Sequence, residues 1–118
     1  MPQPTLPEIF AGATQDINSI TIPKAALPDL TPLAENNADQ LIAGINAACL
    51  DFYTPLRRDG DSTATPPVVG DKDVSIIAVL DGRSISRDFD TNIEYEAQPV
   101  TLTFYKTSTG GGLVPNDY

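Results

Sequence analysis

The sequence predicts an α+β protein: one amphipathic helix packed on a small antiparallel β-meander, with a long extended N-terminal arm. Three observations predict it. Apolar residues recur at helical spacing once, over residues 37–53. Alternating apolar and polar runs separated by turn residues fill residues 74–107. The first 35 residues combine six prolines with many large apolar side chains. The chain therefore divides into an arm (1–35), a compact domain (36–107) and a glycine-rich tail (108–118).

Pro2, Pro4, Pro7, Pro23, Pro28 and Pro32 interrupt regular structure in the arm, since each fixes φ, lacks a backbone donor and biases its predecessor away from helix. This is not the polar composition of a flexible linker. Leu6, Ile9, Phe10, Ile17, Ile20, Ile22, Leu27, Leu30 and Leu33 are large and apolar at irregular spacing. Such a segment has to dock, on its own domain or on a neighbour, and its organisation favours a neighbour. Ser19 to Ile22 has the composition of one short strand.

Over residues 37–53, Leu41, Ile42, Ile45, Ala48, Cys49, Phe52 and Tyr53 fall on one helical stripe. Asn37 and Gln40 have the spacing of a capping box, and Asp39 suits the positive end of the helix dipole. Pro55 stops the helix by forcing Thr54 out of the helical region. Gly44 is a weak point in the helix interior, or marks close approach of another backbone.

Residues 56–73, with Arg57-Arg58-Asp59-Gly60-Asp61 and the Pro66-Pro67 pair, read as a loop. The meander follows. Val74 to Leu80 is apolar on both faces and reads as a central strand. Asp81-Gly82 matches a two-residue type I′ hairpin turn, which places Leu80 opposite Arg83 and Ala78 opposite Ile85. A second turn near Asp90 to Asn92 leads into Ile93, Tyr95 and Ala97. Pro99 marks an edge, bulge or strand start, and Val100, Leu102 and Phe104 then alternate with Thr101, Thr103 and Tyr105.

At 118 residues the chain suits one domain, and its longest apolar runs fall far short of the ~20 residues a membrane-spanning helix needs. No basic, apolar leader is expected at the N-terminus. The formal charge of −9 is spread evenly, with −3 each in residues 1–35, 36–73 and 74–118. No segment supplies the basic face that nucleic acid or anionic membrane would need. A domain of about 70 residues without a disulfide buries only a modest core, so association would supply missing burial.

The chain has no histidine, which removes Ser-His-Asp and Cys-His nucleophiles and the usual general base. Gly110 to Gly112 follow a strand, but no Lys-Ser/Thr pair or helix follows, so they do not form a phosphate loop. Cys49 sits mid-helix on the apolar stripe and reads as an inert buried thiol. Asp59, Asp61, Asp71 and Asp73 bracket the central loop without the ordered spacing of a calcium loop. No cofactor, metal or catalytic residue is expected. Arg83 and Arg87 share one face of a strand, placed either for local charge balance or for pairing between subunits.

A long Pro/Leu-rich arm, an acidic compact domain, and a strand-rich end bearing Val100-Thr101-Leu102-Thr103-Phe104-Tyr105 resemble the organisation of small structural proteins in tailed-bacteriophage particles. Capsid decoration (cement) proteins and small neck or tail components are the types in question. The stretch from Asp81-Gly82-Arg83 to Phe104-Tyr105-Lys106 also resembles phage-type proteins of cyanobacterial origin. The resemblance is one of architecture and carries over no individual residue. It implies a non-catalytic virion protein, assembled in the host cytoplasm, present in many copies and bound to major capsid or other virion subunits. Capsid cement is the preferred form; a neck, tail or baseplate component, or a receptor- or carbohydrate-binding module, is the alternative. The expected assembly contacts are Leu6, Ile9, Phe10, Ile20, Ile22, Leu27, Leu30 and Leu33 in the arm, with Arg83 and Arg87 in the domain.

Overall fold

The computed structural model describes residues 3–108 and 111–118, and it is α+β. Within the proline-rich segment, α1 (Leu6–Ile9) is a single turn with Pro7 at its start, where a missing N–H leaves nothing unsatisfied. β1 (Thr14–Gln15) and β2 (Ile20–Thr21) form a two-rung hairpin. Asp16 closes it, accepting from the backbone N–H groups of Asn18 and Ser19 at 2.8 and 2.9 Å. A 3-10 turn at Lys24–Ala26 then brings the chain to the long helix.

This segment is not the extended arm the prolines predict. Phe10, Ala13 and Leu27 are buried in one cluster with Ala48 of the long helix, and Leu6, Ile9, Ile22 and Leu30 pack around them. Six residues of the expected contact set thus pack within their own chain: Phe10 and Leu27 are buried, and Leu6, Ile9, Ile22 and Leu30 are partly so. The reason is local. A helix with an apolar face begins a few residues downstream, and closing so short a loop costs little entropy compared with leaving those side chains in water.

α2 (Ala38–Phe52) starts as its sequence predicts. Asn37 Oδ1 accepts from the Gln40 N–H at 2.8 Å, and Gln40 Oε1 accepts from the Asn37 N–H at 3.1 Å, a complete capping box. Its buried face is rotated from the expected stripe. Gly44 and Ala48 are buried, whereas Ile42 and Ile45 are exposed. The small residues form a notch for Leu27: a Cβ on Gly44 would lie 3.0 Å from the Leu27 Cβ. Tyr53, at the C-cap, is buried as expected.

Thr54 is extended, and Pro55 both ends α2 and opens α3 (Pro55–Asp59). β3 (Gly60–Asp61) pairs antiparallel with β4 (Val68–Val69), so the expected loop at 56–73 carries a helical turn and a small hairpin. Gly60 has φ of 68°, and the neighbouring backbone leaves no room for a side chain at Gly60 or Gly70.

The strands of the C-terminal half depart from the expected meander. β5 (Ile76–Leu80) pairs with β8 (Val100–Phe104), and β6 (Ser84–Asp88) pairs with β7 (Ile93–Ala97). The two ladders lie end to end along one long hairpin. Leu80 faces Val100 and, beyond the junction, Ser84 faces Ala97. Between these pairs Asp81, Gly82 and Arg83 oppose only Gln98 and Pro99, the extra residue of a β-bulge. The Asp81 N–H donates to the Pro99 carbonyl at 3.1 Å, and Gln98 Nε2 donates to the Asp81 carbonyl at 2.8 Å. Thr101 Oγ1 bonds the Asp81 carboxylate. Asp81-Gly82 is therefore a bulge, and the turn is Phe89 to Asn92, with Asn92 left-handed at φ 57°.

Burial explains the choice of partner. Tyr53, Val74 and Ala78 form a second buried cluster, with Cys49, Ile76 and Leu102 packed against it, and Ile9 touches both clusters. The Ala78 N–H donates to the Tyr53 carbonyl at 2.8 Å, fixing β5 to the end of α2. The apolar β8 can share that core, whereas Ser84-Ile85-Ser86-Arg87-Asp88 cannot. The C-terminal residues fold back on this ladder: the Tyr118 ring lies 5.6 Å from that of Phe104, edge to face. Part of the expected glycine joint, Gly110, lies outside the described residues. Among those described, no helix is long and apolar enough to cross a membrane.

Candidate functional site

The β6–β7 ribbon stands out because none of the described residues outside it covers it. Every residue from Gly82 to Arg87 and from Phe89 to Pro99 is exposed, and the two strands pack on each other rather than on the body. The molecule is correspondingly extended. Its radius of gyration is 17.5 Å, with a longest dimension of 51 Å, where a compact chain of this length has a radius of about 13–14 Å.

Strand periodicity gives the ribbon two unlike faces. On one, Arg83, Ile85 and Arg87 lie with Glu94 and Glu96. Arg83 Nη1 is 3.1 Å from Glu96 Oε1, Arg87 Nη2 is 3.7 Å from Glu94 Oε1, and Arg87 Nη1 donates to Asn92 Oδ1 at 3.0 Å. On the other face Ile93, Tyr95 and Ala97 stand opposite Asp88, Ser86 and Ser84, so an aromatic-apolar row is flanked by small polar side chains. Phe89 caps the turn at 90% exposure. Each strand pairs only with the other, so both outer edges leave backbone groups unpaired among the described residues.

Of the expected assembly contacts, Phe10 and Leu27 are buried, Leu6, Ile9, Ile22 and Leu30 are partly buried, and four are exposed. Arg83 and Arg87 lie on the ribbon, already in ion pairs within it. Ile20, 63% exposed, sits on the β1–β2 hairpin, and Leu33, 53% exposed, lies before α2. The sequence reading places Phe89 and Tyr95 only in an exposed aromatic cluster with Tyr53 and Tyr105, expected of a receptor- or carbohydrate-binding module, and misses the apolar row of Ile93, Tyr95 and Ala97. Their signal is the alternation Ile93-Glu94-Tyr95-Glu96-Ala97, misassigned to a covered meander. The aromatic cluster that a receptor-binding tip would need is dispersed: Tyr53 is core, Tyr105 lies under Arg58, and Phe89 and Tyr95 are on the ribbon.

The carboxylates of the central loop have local partners. Asp61 accepts from the Thr63 N–H and hydroxyl, Asp71 accepts from the Asp73 N–H, and Asp59 pairs with Lys72. Among the described residues no three His, Cys, Asp or Glu side chains gather as metal ligands. Burial pushes the Cys49 thiol above its ordinary pKa, which keeps it protonated and a poor nucleophile.

Compared with protein-family models, curated proteins and solved structures, the chain matches none.

Proposed function

We propose that this chain is a non-catalytic structural subunit that binds and bridges neighbours in a large assembly. The specific form we propose is a capsid cement or decoration protein of a tailed-phage particle, held in many copies on the major shell subunits. The observation that carries the reading is the bare β6–β7 ribbon. Two-stranded ribbons are marginal alone in water, and open strand edges invite pairing with another chain. A neighbouring subunit that adds a strand to either edge satisfies the free backbone groups, while Ile93 and Tyr95 give the added strand an apolar face to cover.

The body supports the same reading. Among the described residues eight apolar ones are buried against eighteen large ones exposed, so the core is small and association adds burial that the chain lacks. The formal charge of −9 favours a protein partner over nucleic acid or an anionic membrane. A neck or tail position would use the ribbon in the same way. The receptor- or carbohydrate-binding alternative is less favoured, because its aromatic residues are not gathered on one surface.

Density-gradient fractionation of virions tests the proposal. The chain is expected to band with particles at a fixed ratio to the shell subunit. A variant with residues 84–97 replaced by a tight turn should fold but stay at the top of the gradient. A ribbon-less chain that bands with particles undiminished overturns the reading.

A further inference from the structure

The two outer edges of the β6–β7 ribbon carry opposite charge. On the charged face β6 presents Arg83, Ile85 and Arg87, and β7 presents Glu94 and Glu96. All five residues are exposed, and neither edge has a further strand beside it among the described residues. The ion pairs within the ribbon leave these groups room for another partner. Arg83 reaches Glu96 through Nη1 at 3.1 Å, and Arg87 Nη2 stays 3.7 Å from Glu94. A guanidinium has five N–H donors and a carboxylate two acceptor oxygens, so each can bridge to both sides. The outward N–H and C=O groups of each strand are a template for one more strand.

The charges decide which strand fits. Laid antiparallel on the β6 of a second copy, β6 meets no carboxylate on its charged face, and a register centred on Ile85 sets Arg83 against Arg87. Laid on a second β7 about Tyr95, β7 sets Glu94 against Glu96. Laid on the β7 of a second copy, β6 can repeat the register it has within its own chain. Arg87 then faces Glu94, Ser86 faces Tyr95 and Ser84 faces Ala97, as they do in the ribbon itself. The formal charge of −9 opposes contacts between copies that lack such local pairing.

We propose that the neighbour at the ribbon edges is a second copy of this chain, the β6 edge of one pairing antiparallel with the β7 edge of the next; this rests on the ribbon being the assembly surface. The contact is head-to-tail, so each end of the joined copies keeps one free edge, and copies add into a ring or a row. One face of the joined ribbons alternates arginine and glutamate, and the other carries Tyr95 of one copy beside Ser86 of the next.

The test compares the original full chain with a charge-exchanged one carrying Arg83→Glu, Arg87→Glu, Glu94→Arg and Glu96→Arg. The exchange keeps the pairs within the ribbon oppositely charged, and circular dichroism checks the fold. In sedimentation velocity over a concentration series, each chain alone should grow beyond the monomer. Fluorescently labelled original chain should be drawn into larger species by unlabelled original chain, and at least about tenfold less by the exchanged chain, because mixed edges carry like charge. An original chain that stays monomeric throughout overturns the proposal, as does equal uptake by the exchanged chain. Should the exchanged chain fail to fold, Ser86→Cys in one chain is mixed with Tyr95→Cys in another. Disulfide-linked pairs should then exceed those of either chain alone, and no excess overturns the proposal. A chain that bands with particles through its ribbon yet never pairs with a second copy overturns the self-pairing and leaves the assembly reading standing.

Discussion

At the scale of single residues, the contact between Gly44 and Leu27 ties the N-terminal segment to α2. Alanine at an exposed helix position would gain about 1 kcal/mol over glycine, but here its Cβ meets the Leu27 side chain. Gly44→Ala is therefore expected to lower unfolding stability by about 1 kcal/mol net, as overpacked positions do. In a Leu27→Ala background, which removes the Cδ1 contact at 3.1 Å but keeps the Cβ, the penalty should shrink, and a denaturant double-mutant cycle checks the coupling. Asp16 offers a pH-dependent counterpart. The N–H groups of Asn18 and then Ser19 hold its carboxylate below the ordinary pKa of 3.8. Because the folded-state pKa is depressed, its contribution to the β1–β2 hairpin is present above that ordinary value. It is lost as pH falls through the lower folded value. Amide shifts of Asn18 and Ser19 should titrate with a midpoint below 3.8. Asp16→Asn should abolish that titration.

At the scale of elements, the segment from Leu6 to Leu30 behaves as core rather than as a strap. Phe10→Ala is expected to cost about 3 kcal/mol, and deletion of residues 1–33 to unfold α2 rather than free a soluble domain. Loss of the cooperative thermal transition in the deletion variant is the readout; a native transition would restore the docking-arm reading. The elements differ in how legible they are, for a physical reason. α2 can be read from Asn37, Gln40 and Pro55 because caps and stops act within one turn. The pairing of β5 with β8 cannot. Asp81-Gly82 is a strong local turn signal, but it is outweighed by burying Ile76 and Ala78 beside Leu102 against Tyr53, a contact between residues far apart in the chain. Pro99 marks the bulge correctly, since a residue without an N–H suits a break in the ladder. The destination of the N-terminal apolar residues is equally non-local, and composition alone does not choose between self and neighbour.

At the scale of the whole molecule, the chain is a small two-cluster core from which a two-faced ribbon projects. Arg83 and Arg87 are legible as a pair on one strand face, yet their significance depends on β7, whose glutamates they meet. The apolar face of the ribbon is hidden from sequence reasoning because alternation describes a strand without saying what covers it. The central claim is that the N-terminal segment holds the body together while residues 84–97 meet the neighbour. Amide hydrogen exchange on the free and assembled chain tests it most directly. The account predicts slow exchange at Phe10, Tyr53 and Ala78 in both states. Exchange across 84–97 should be fast in the free chain and slow once assembled. Fast exchange over residues 6–30 in the free chain, becoming protected on assembly while the ribbon stays unchanged, would contradict it.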